Sequence, residues 1–235
     1  MKQNSEIICG FRVKVIPQKP DFLPVSQEEF VQRTLQAWTS GDKDSRISAV
    51  FLGGEREWEA LWNDEGYTVR GAVAYHANEK YQLKMRNDPF PEVRKLLAIY
   101  GTDNVRRALL DSGESNREVL TNIAKFGSTD VRHRLVDAAW NDPKTLYEIV
   151  HYLPARALEK LLTHPNMEAR IDAATHGSMD QCRRVLAMPY SRHDITVVLM
   201  RDLLVERIEE LDIVASVINF GKTKTRRNLE MELST

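Results

Sequence analysis

The sequence predicts an all-α solenoid of about seven to eight two-helix repeats, 24–26 residues each, behind a short extended or strand-like N-terminal arm. Three columns in phase predict it. Laying Tyr67–His76 over Pro91–Tyr100 matches Val-Arg, an aliphatic-Ala pair and a ring at an offset of 24. That offset recurs, within two residues through most of the chain, in a small-residue column: Val50, Ala74, Ala98, Ala124, Val150, Ala174, Val198 and Ile218. A turn column follows it (Gly53, Ala77, Gly101, Gly127, Leu153, Gly177 and, after a break at Arg201, Gly221), and then an apolar column (Leu61, Met85, Leu109, Leu135, Leu161, Val185, Leu229). Self-similarity at a fixed period of this length marks stacked supersecondary units.

Taken in order, residues 1–25 read as the arm. Phe11, Val13 and Val15 alternate with Arg12 and Lys14, a strand pattern, and Pro17, Pro20 and Pro24 extend it. No second strand is visible, so three placements stay open: along the first repeat, against a copy of itself, or on a partner's sheet edge. Residues 26–44 read as a capping helix opened by Ser26 and Glu29 in capping-box spacing. Residues 45–190 form the repeat array. In each unit a first helix such as Val93–Tyr100 shows one apolar face, and a second begins at Asp103, Asp130 or Asp180, read as N-caps. Glycine in the turn column suits a left-handed helix end. Helices this short are marginal alone, so burial against neighbouring units must stabilise them. Residues 191–235 read as irregular C-terminal repeats and a cap, with a continuous helix through 200–211 and a further turn at Gly221.

Composition narrows the function classes. The chain has 235 residues, 42% of them hydrophobic, and 33 Lys+Arg against 34 Asp+Glu. That balance lacks the basic excess of sequence-blind nucleic-acid or membrane binders. Cys9 and Cys182 cannot supply a disulfide framework or a four-cysteine cluster. With no apolar segment in residues 1–10 and no apolar run of membrane-spanning length, a cytoplasmic protein is expected.

The string Leu-x-x-Asp-x-x-x-x-Val-Arg-x-x-aliphatic-Ala runs from Leu61 to Ala74, with Asp64, Val69 and Arg70, and nearly repeats from Met85 to Ala98, with Asp88, Val93 and Arg94. It resembles the leucine-rich repeat variant family. The resemblance covers roughly residues 45–190 and implies alternating α and 3-10 helices stacked into a right-handed superhelix, akin to HEAT-like arrays. The family's iron–sulfur segment has no counterpart, because no cysteine group precedes the repeats, and no cofactor is expected. Leu120 and Leu146 depart from the pattern at the arginine place, and Pro154-Ala-Arg-Ala replaces the glycine turn in the fifth unit.

Several constellations invite chemistry. Arg46, Arg70, Arg94 and Arg170 recur in the first helices, with Arg106, Arg132 and Arg183 in the second. Such a row either grips phosphates or packs its stems and bonds carboxylates such as Asp64 and Asp88, the latter being preferred. The rings His76, Tyr100, Phe126, Tyr152 and His176 close the first helices, and their spacing assigns them to the core rather than to stacking on bases. His151, His164 and His176 lack the further ligands a metal needs. No nucleophile elbow, cysteine–histidine pair or phosphate loop is present.

The reading that results is a non-enzymatic protein-binding scaffold or adaptor. Its partner-binding candidates are Arg70, Arg94, Lys95, Thr121, Tyr147 and Arg170, with Tyr75, Tyr81, Trp140 and Tyr190 among expected surface aromatics. The alternative is a nucleic-acid-binding repeat protein using the arginine ladder. That includes a DNA-glycosylase-like enzyme with Trp58, Trp62 and Trp140 beside Asp137 or Asp142.

Overall fold

The computed structural model describes residues 5–20, 23, 25–190 and 194–232, with side chains given up to Ile218, Val217 excepted. The ends of the expected arm and of the C-terminal cap, together with core-column Leu229, therefore lie outside the described residues or side chains. Two units divide the chain, Met1–Ala138 and Ala139–Thr235.

The first unit opens with strands β1 (Ser5–Ile8) and β2 (Phe11–Lys14), paired antiparallel with Ile8 opposite Phe11 and Ser5 opposite Lys14. This corrects the expectation of a single strand. The apparent continuity of residues 6–17 hides a two-residue turn, Cys9 and Gly10, with φ of 48° and 84°. Positive φ at both positions is what a tight hairpin wants, but cysteine is not a residue that announces it. Of the three placements, the hairpin takes the first, lying on the first repeat. Val13 is buried, and the Lys14 amide donates to Ser48 Oγ.

Helices α1 (Gln27–Trp38), α2 (Lys43–Leu52), α3 (Glu55–Leu61), α4 (Tyr67–His76), α5 (Glu79–Lys84), α6 (Pro91–Tyr100), α7 (Asp103–Asp111), α8 (Arg117–Phe126) and α9 (Thr129–Ala139) follow. The first helices α2, α4, α6 and α8 pack in series, with the shorter α3, α5 and α7 flanking them. The second unit holds α10 (Pro143–Ile149) with a 3-10 turn Val150–Tyr152, then α11 (Ala155–Leu161), α12 (Met167–Thr175), α13 (Met179–Leu186) and α14 (Ile195–Glu232). Here α12 packs on α10, α13 and α14. Among the described residues no helix is long and apolar enough to cross a membrane.

The columns are the core. Val50, Ala74, Ala98, Ala124 and Ala174 are fully buried, as are Leu109, Leu135 and Val185. Each Leu so enclosed contributes about 1.5–3 kcal/mol. The two columns end where α14 begins. Ile218 is 50% exposed, and α14 continues without a turn through Gly221, so the expected break there is absent.

The turn glycines are not left-handed either. Gly53, Gly101 and Gly127 have φ of −95°, −71° and −76°, a geometry that Ala77 and Leu153 share. Space selects glycine instead: a Cβ on Gly101 would meet Val105 Cγ1 at 2.8 Å, and one on Gly127 would meet Val131 Cγ1 at 2.9 Å. The second helices are capped one residue earlier than expected. Thr102 accepts from the Val105 amide and Ser178 from the Gln181 amide, while Asp103, Asp130 and Asp180 sit in the first turn. Ser26 caps α1 by accepting from Glu29, whose carboxylate pairs with Arg33.

Candidate interaction surface

The ladder arginines face inward. Arg70 is 7% exposed and holds Asp88 in two parallel bonds, Nε to Oδ2 at 2.6 Å and Nη2 to Oδ1 at 3.0 Å, while Nη1 donates to the Asp64 carbonyl at 2.7 Å. Arg94 repeats this with Glu114 and the Asp88 carbonyl, and Arg46 pairs with Asp64 at 2.7 Å. Each acid also accepts from the turn that follows it: Gly66 N on Asp64, Phe90 N on Asp88, Asn116 N on Glu114. One arginine thus ties its own turn to the next. The carboxylates bonded to Arg70 and Arg94 raise the pKa of both guanidinium groups. Arg70 and Arg94, expected among partner contacts, are therefore corrected to internal struts.

Where leucine replaces arginine the rung is apolar, with Leu120 and Leu146 buried. In the second unit His164 takes the acid's place. It is buried, accepts from Asn166 N at Nδ1, and approaches the Trp140 carbonyl through Nε2 at 2.8 Å. Arg170 has no acid at the matching place. Its Nη1 meets Met188 Sδ at 3.6 Å, and its buried Nε has no hydrogen-bond partner among the described residues.

A second column carries no mark of residue type. Trp58 Nε1, Gln82 Nε2, Arg106 Nε, Arg132 Nε and Cys182 Sγ each donate to the carbonyl eight residues back, at Val50, Ala74, Ala98, Ala124 and Ala174. Helix ends leave carbonyls unsatisfied, and this side chain satisfies one per unit. In the fifth unit the place holds Leu158, and the Leu153 amide serves the Val150 carbonyl instead by tightening to a 3-10 turn. Because four residue types fill one role, only a search by donor capacity would have found it. Arg183, grouped earlier with Arg106 and Arg132, falls one place off and pairs with Asp212 at 3.7 Å.

With the arginines inside, the open surface of the first unit belongs to other residues. The hairpin covers the outer face of α2 and the start of α4. Ile47 is buried there, Phe11 Cζ reaches within 4.0 Å of a Cβ built on Gly71, and Lys14 Nζ bonds Asp42 at 2.9 Å. The repeat equivalents of Ile47 and Gly71 are Lys95 and Thr121, half-buried on α6 and α8, where no hairpin lies. An aromatic row crosses this face: Phe11 to Phe51 at 5.6 Å, Phe51 to Tyr75 at 5.8 Å, and Tyr75 to Tyr100 edge-on at 4.5 Å. Tyr75 hydroxyl meets Cys9 Sγ at 2.6 Å at the hairpin turn. The row ends in the open, since Tyr100 is 48% exposed and Phe126, one repeat on, 42%. The ring column was expected in the core; Tyr100, Phe126, His76 and His176 are instead exposed, because their helices end just beyond the buried small residues.

Other expected surface aromatics divide. Tyr147 is 66% exposed on α10, and Tyr190 is exposed under the Arg201 guanidinium, whereas Tyr81 is buried and donates to the Glu55 carbonyl. Trp58 packs edge-on against His76 and Tyr81, Trp62 lies under Lys84, and Trp140 packs on His164. Asp142 caps α10. These residues serve packing and capping. Surface charge alternates in sign across repeats, as in Lys84–Glu59, Lys95–Glu118, Arg107–Asp130 and Arg134–Asp111. Among the described residues no three His, Cys, Asp or Glu side chains are grouped to hold a metal.

The repeat architecture has a counterpart among solved structures. A leucine-rich repeat variant with a novel repetitive structural motif is similar, at a TM-score of 0.54 and 20% identity over 75% of this chain and 71% of that one. The likeness establishes the class of fold, an all-α helical repeat of the leucine-rich repeat variant kind. No family model and no curated protein matches the sequence.

Proposed function

We propose that this chain is a non-enzymatic, cytoplasmic protein-binding scaffold, and that α6 and α8 take an extended segment of a partner protein. One observation carries the reading: the chain's own hairpin occupies the same helix face one and two repeats earlier, with Phe11 set among Phe51, Tyr75 and Gly71. The continuation of that face offers Lys95, Thr121, Tyr100 and Phe126. Half-exposed aromatics rimmed by mixed charge are what protein interfaces favour. In the second unit, exposed Tyr147 stays a candidate contact, and Arg170 stays one because no carboxylate among the described residues pairs with it. The two free thiols suit a reducing compartment. The nucleic-acid reading is weakened, since Arg46, Arg70 and Arg94 already hold carboxylates.

The test is affinity capture with the full chain beside a Tyr100→Ser/Phe126→Ser variant. A stoichiometric protein retained from about 150 to 300 mM salt by the parent and lost by the variant is the expected result. Capture of nucleic acid whose retention falls steeply over that range would overturn it.

A further inference from the structure

The last helix is built unlike the rest. The first part of α14 packs on α12 and α13, burying Val197 and Leu204, and Arg201 donates to the Val185 and Leu186 carbonyls at the end of α13. From Asp212 onward every described side chain is exposed, yet the helix continues to Glu232. Ile213, Val214 and Ile218 stand 65%, 52% and 50% exposed on it. An isolated helical stretch that displays three large aliphatics to water lacks the burial that normally stabilises it.

The sequence along this stretch is charge-segregated. Residues 206–212 carry Glu206, Glu209, Glu210 and Asp212 against Arg207. Residues 213–221 carry no charge, and residues 222–228 carry Lys222, Lys224, Arg226 and Arg227 with no acid. The pattern is symmetric about position 217: a half-turn there lays 206–212 on 222–228 and the uncharged segment on itself.

We propose that this part of α14 is a homodimerisation element, in which two copies of the chain pair antiparallel about a two-fold at position 217. Ile218 then lies beside the axis, with Ile213 and Val214 set over the far half of the other copy's uncharged segment, and each acidic segment faces the other copy's basic one. A two-fold interface must be self-complementary in this way. A parallel pair would set acid on acid. The internal pairs Arg207–Glu210 and Arg183–Asp212, at 3.1 and 3.7 Å, are exposed and compete weakly. The overlap is about 34 Å of helix, a small interface, so dissociation falls in the micromolar range. The proposal is independent of the partner-binding reading, because it uses no residue of α6 or α8.

Sedimentation equilibrium of the full chain tests it. A monomer–dimer equilibrium that weakens severalfold between about 50 and 500 mM salt is expected. Ile213→Glu with Ile218→Glu weakens it by roughly a hundredfold or more at unchanged circular dichroism. Glu209→Lys/Glu210→Lys and Lys224→Glu/Arg226→Glu are each monomeric alone and dimerise when mixed. In a Cys9→Ser background, Glu210→Cys copies form disulfides with Lys224→Cys copies rather than with themselves. A chain monomeric at about 100 µM, a dimer indifferent to Ile213→Glu/Ile218→Glu, or Glu210→Cys linking to itself would each overturn the proposal.

Discussion

Arg70 shows how one side chain can do three jobs and why its partner cannot be removed alone. Its guanidinium bonds Asp88 twice and the Asp64 carbonyl once while 7% exposed. Asp88→Ala leaves that charge buried without a counter-ion, and we expect urea unfolding to show a loss of about 3–5 kcal/mol. Arg70→Leu with Asp88→Ala loses less than Asp88→Ala alone, because Leu120 and Leu146 already serve as apolar rungs. Met188→Asp is the reverse experiment: it supplies Arg170 with the missing carboxylate and raises stability. Asp172 carries the pH dependence in α12. Burial pushes its carboxyl up to about 6, Glu168 adds to the rise and His176 opposes it. A folded pKa above the unfolded one means that its contribution is fully present below about pH 4 and is lost as pH rises through about 6. Asp172→Asn is therefore expected to stabilise the chain by up to about 2 kcal/mol at pH 7 and to leave it unchanged near pH 4, read from unfolding at both values. The pairing of Arg46 and Arg70 with the next unit's acid was legible in sequence, since Asp64 and Asp88 each stand 18 residues after them. The donor column from Trp58 to Cys182 was not, because hydrogen-bond capacity, not residue type, repeats there.

Two glycines separate the reasons an element needs one. Gly10 has φ of 84° and open space around the place of its Cβ, so Gly10→Ala pays only in backbone strain, about 1–2 kcal/mol. Gly101 has ordinary φ and no room, so Gly101→Ala crowds Val105 and costs about 1–3 kcal/mol. Amide exchange distinguishes them: the first change speeds exchange in β1 and β2, the second in α6 and α7. Equal effects on both elements would refute the distinction. The same contrast explains what the sequence concealed about its elements. The repeat spacing located the turns from Gly53 to Gly177, but spacing carries no φ, and a left-handed helix end was inferred where close packing was the cause. The hairpin was read as one strand because Cys9 in a positive-φ position breaks no alternation that a pattern can register. The length of α14 was half legible. Residues 200–211 show helical periodicity, whereas Gly221 resembles a turn glycine only by alignment.

At the scale of the molecule, stability should be local and transmitted by contact. Each repeat buries its apolar column only against its neighbours, so free energy is a sum of unit and nearest-neighbour terms. Leu109 lies in the middle of such a series, fully buried in α7. Leu109→Ala removes about 2–5 kcal/mol of packing and cavity energy. In a body with one central core that loss would appear in every amide that exchanges by global unfolding. In a repeat array it concentrates in α5 to α9 and fades toward the hairpin on one side and α13 on the other. Hydrogen exchange followed helix by helix therefore reads the architecture directly: protection lost in α7 and its neighbours while α12 and α13 keep theirs is the expected profile, and a uniform loss from α2 to α13 would contradict it. The near balance of 33 basic and 34 acidic residues fits this economy. Most of the interior and many of the surface charges link one repeat to the next, as Arg46 to Asp64, Lys84 to Glu59 and Arg184 to Glu159 do. Salt is thus expected to shift stability little, because the buried rungs are screened far less than exposed charges.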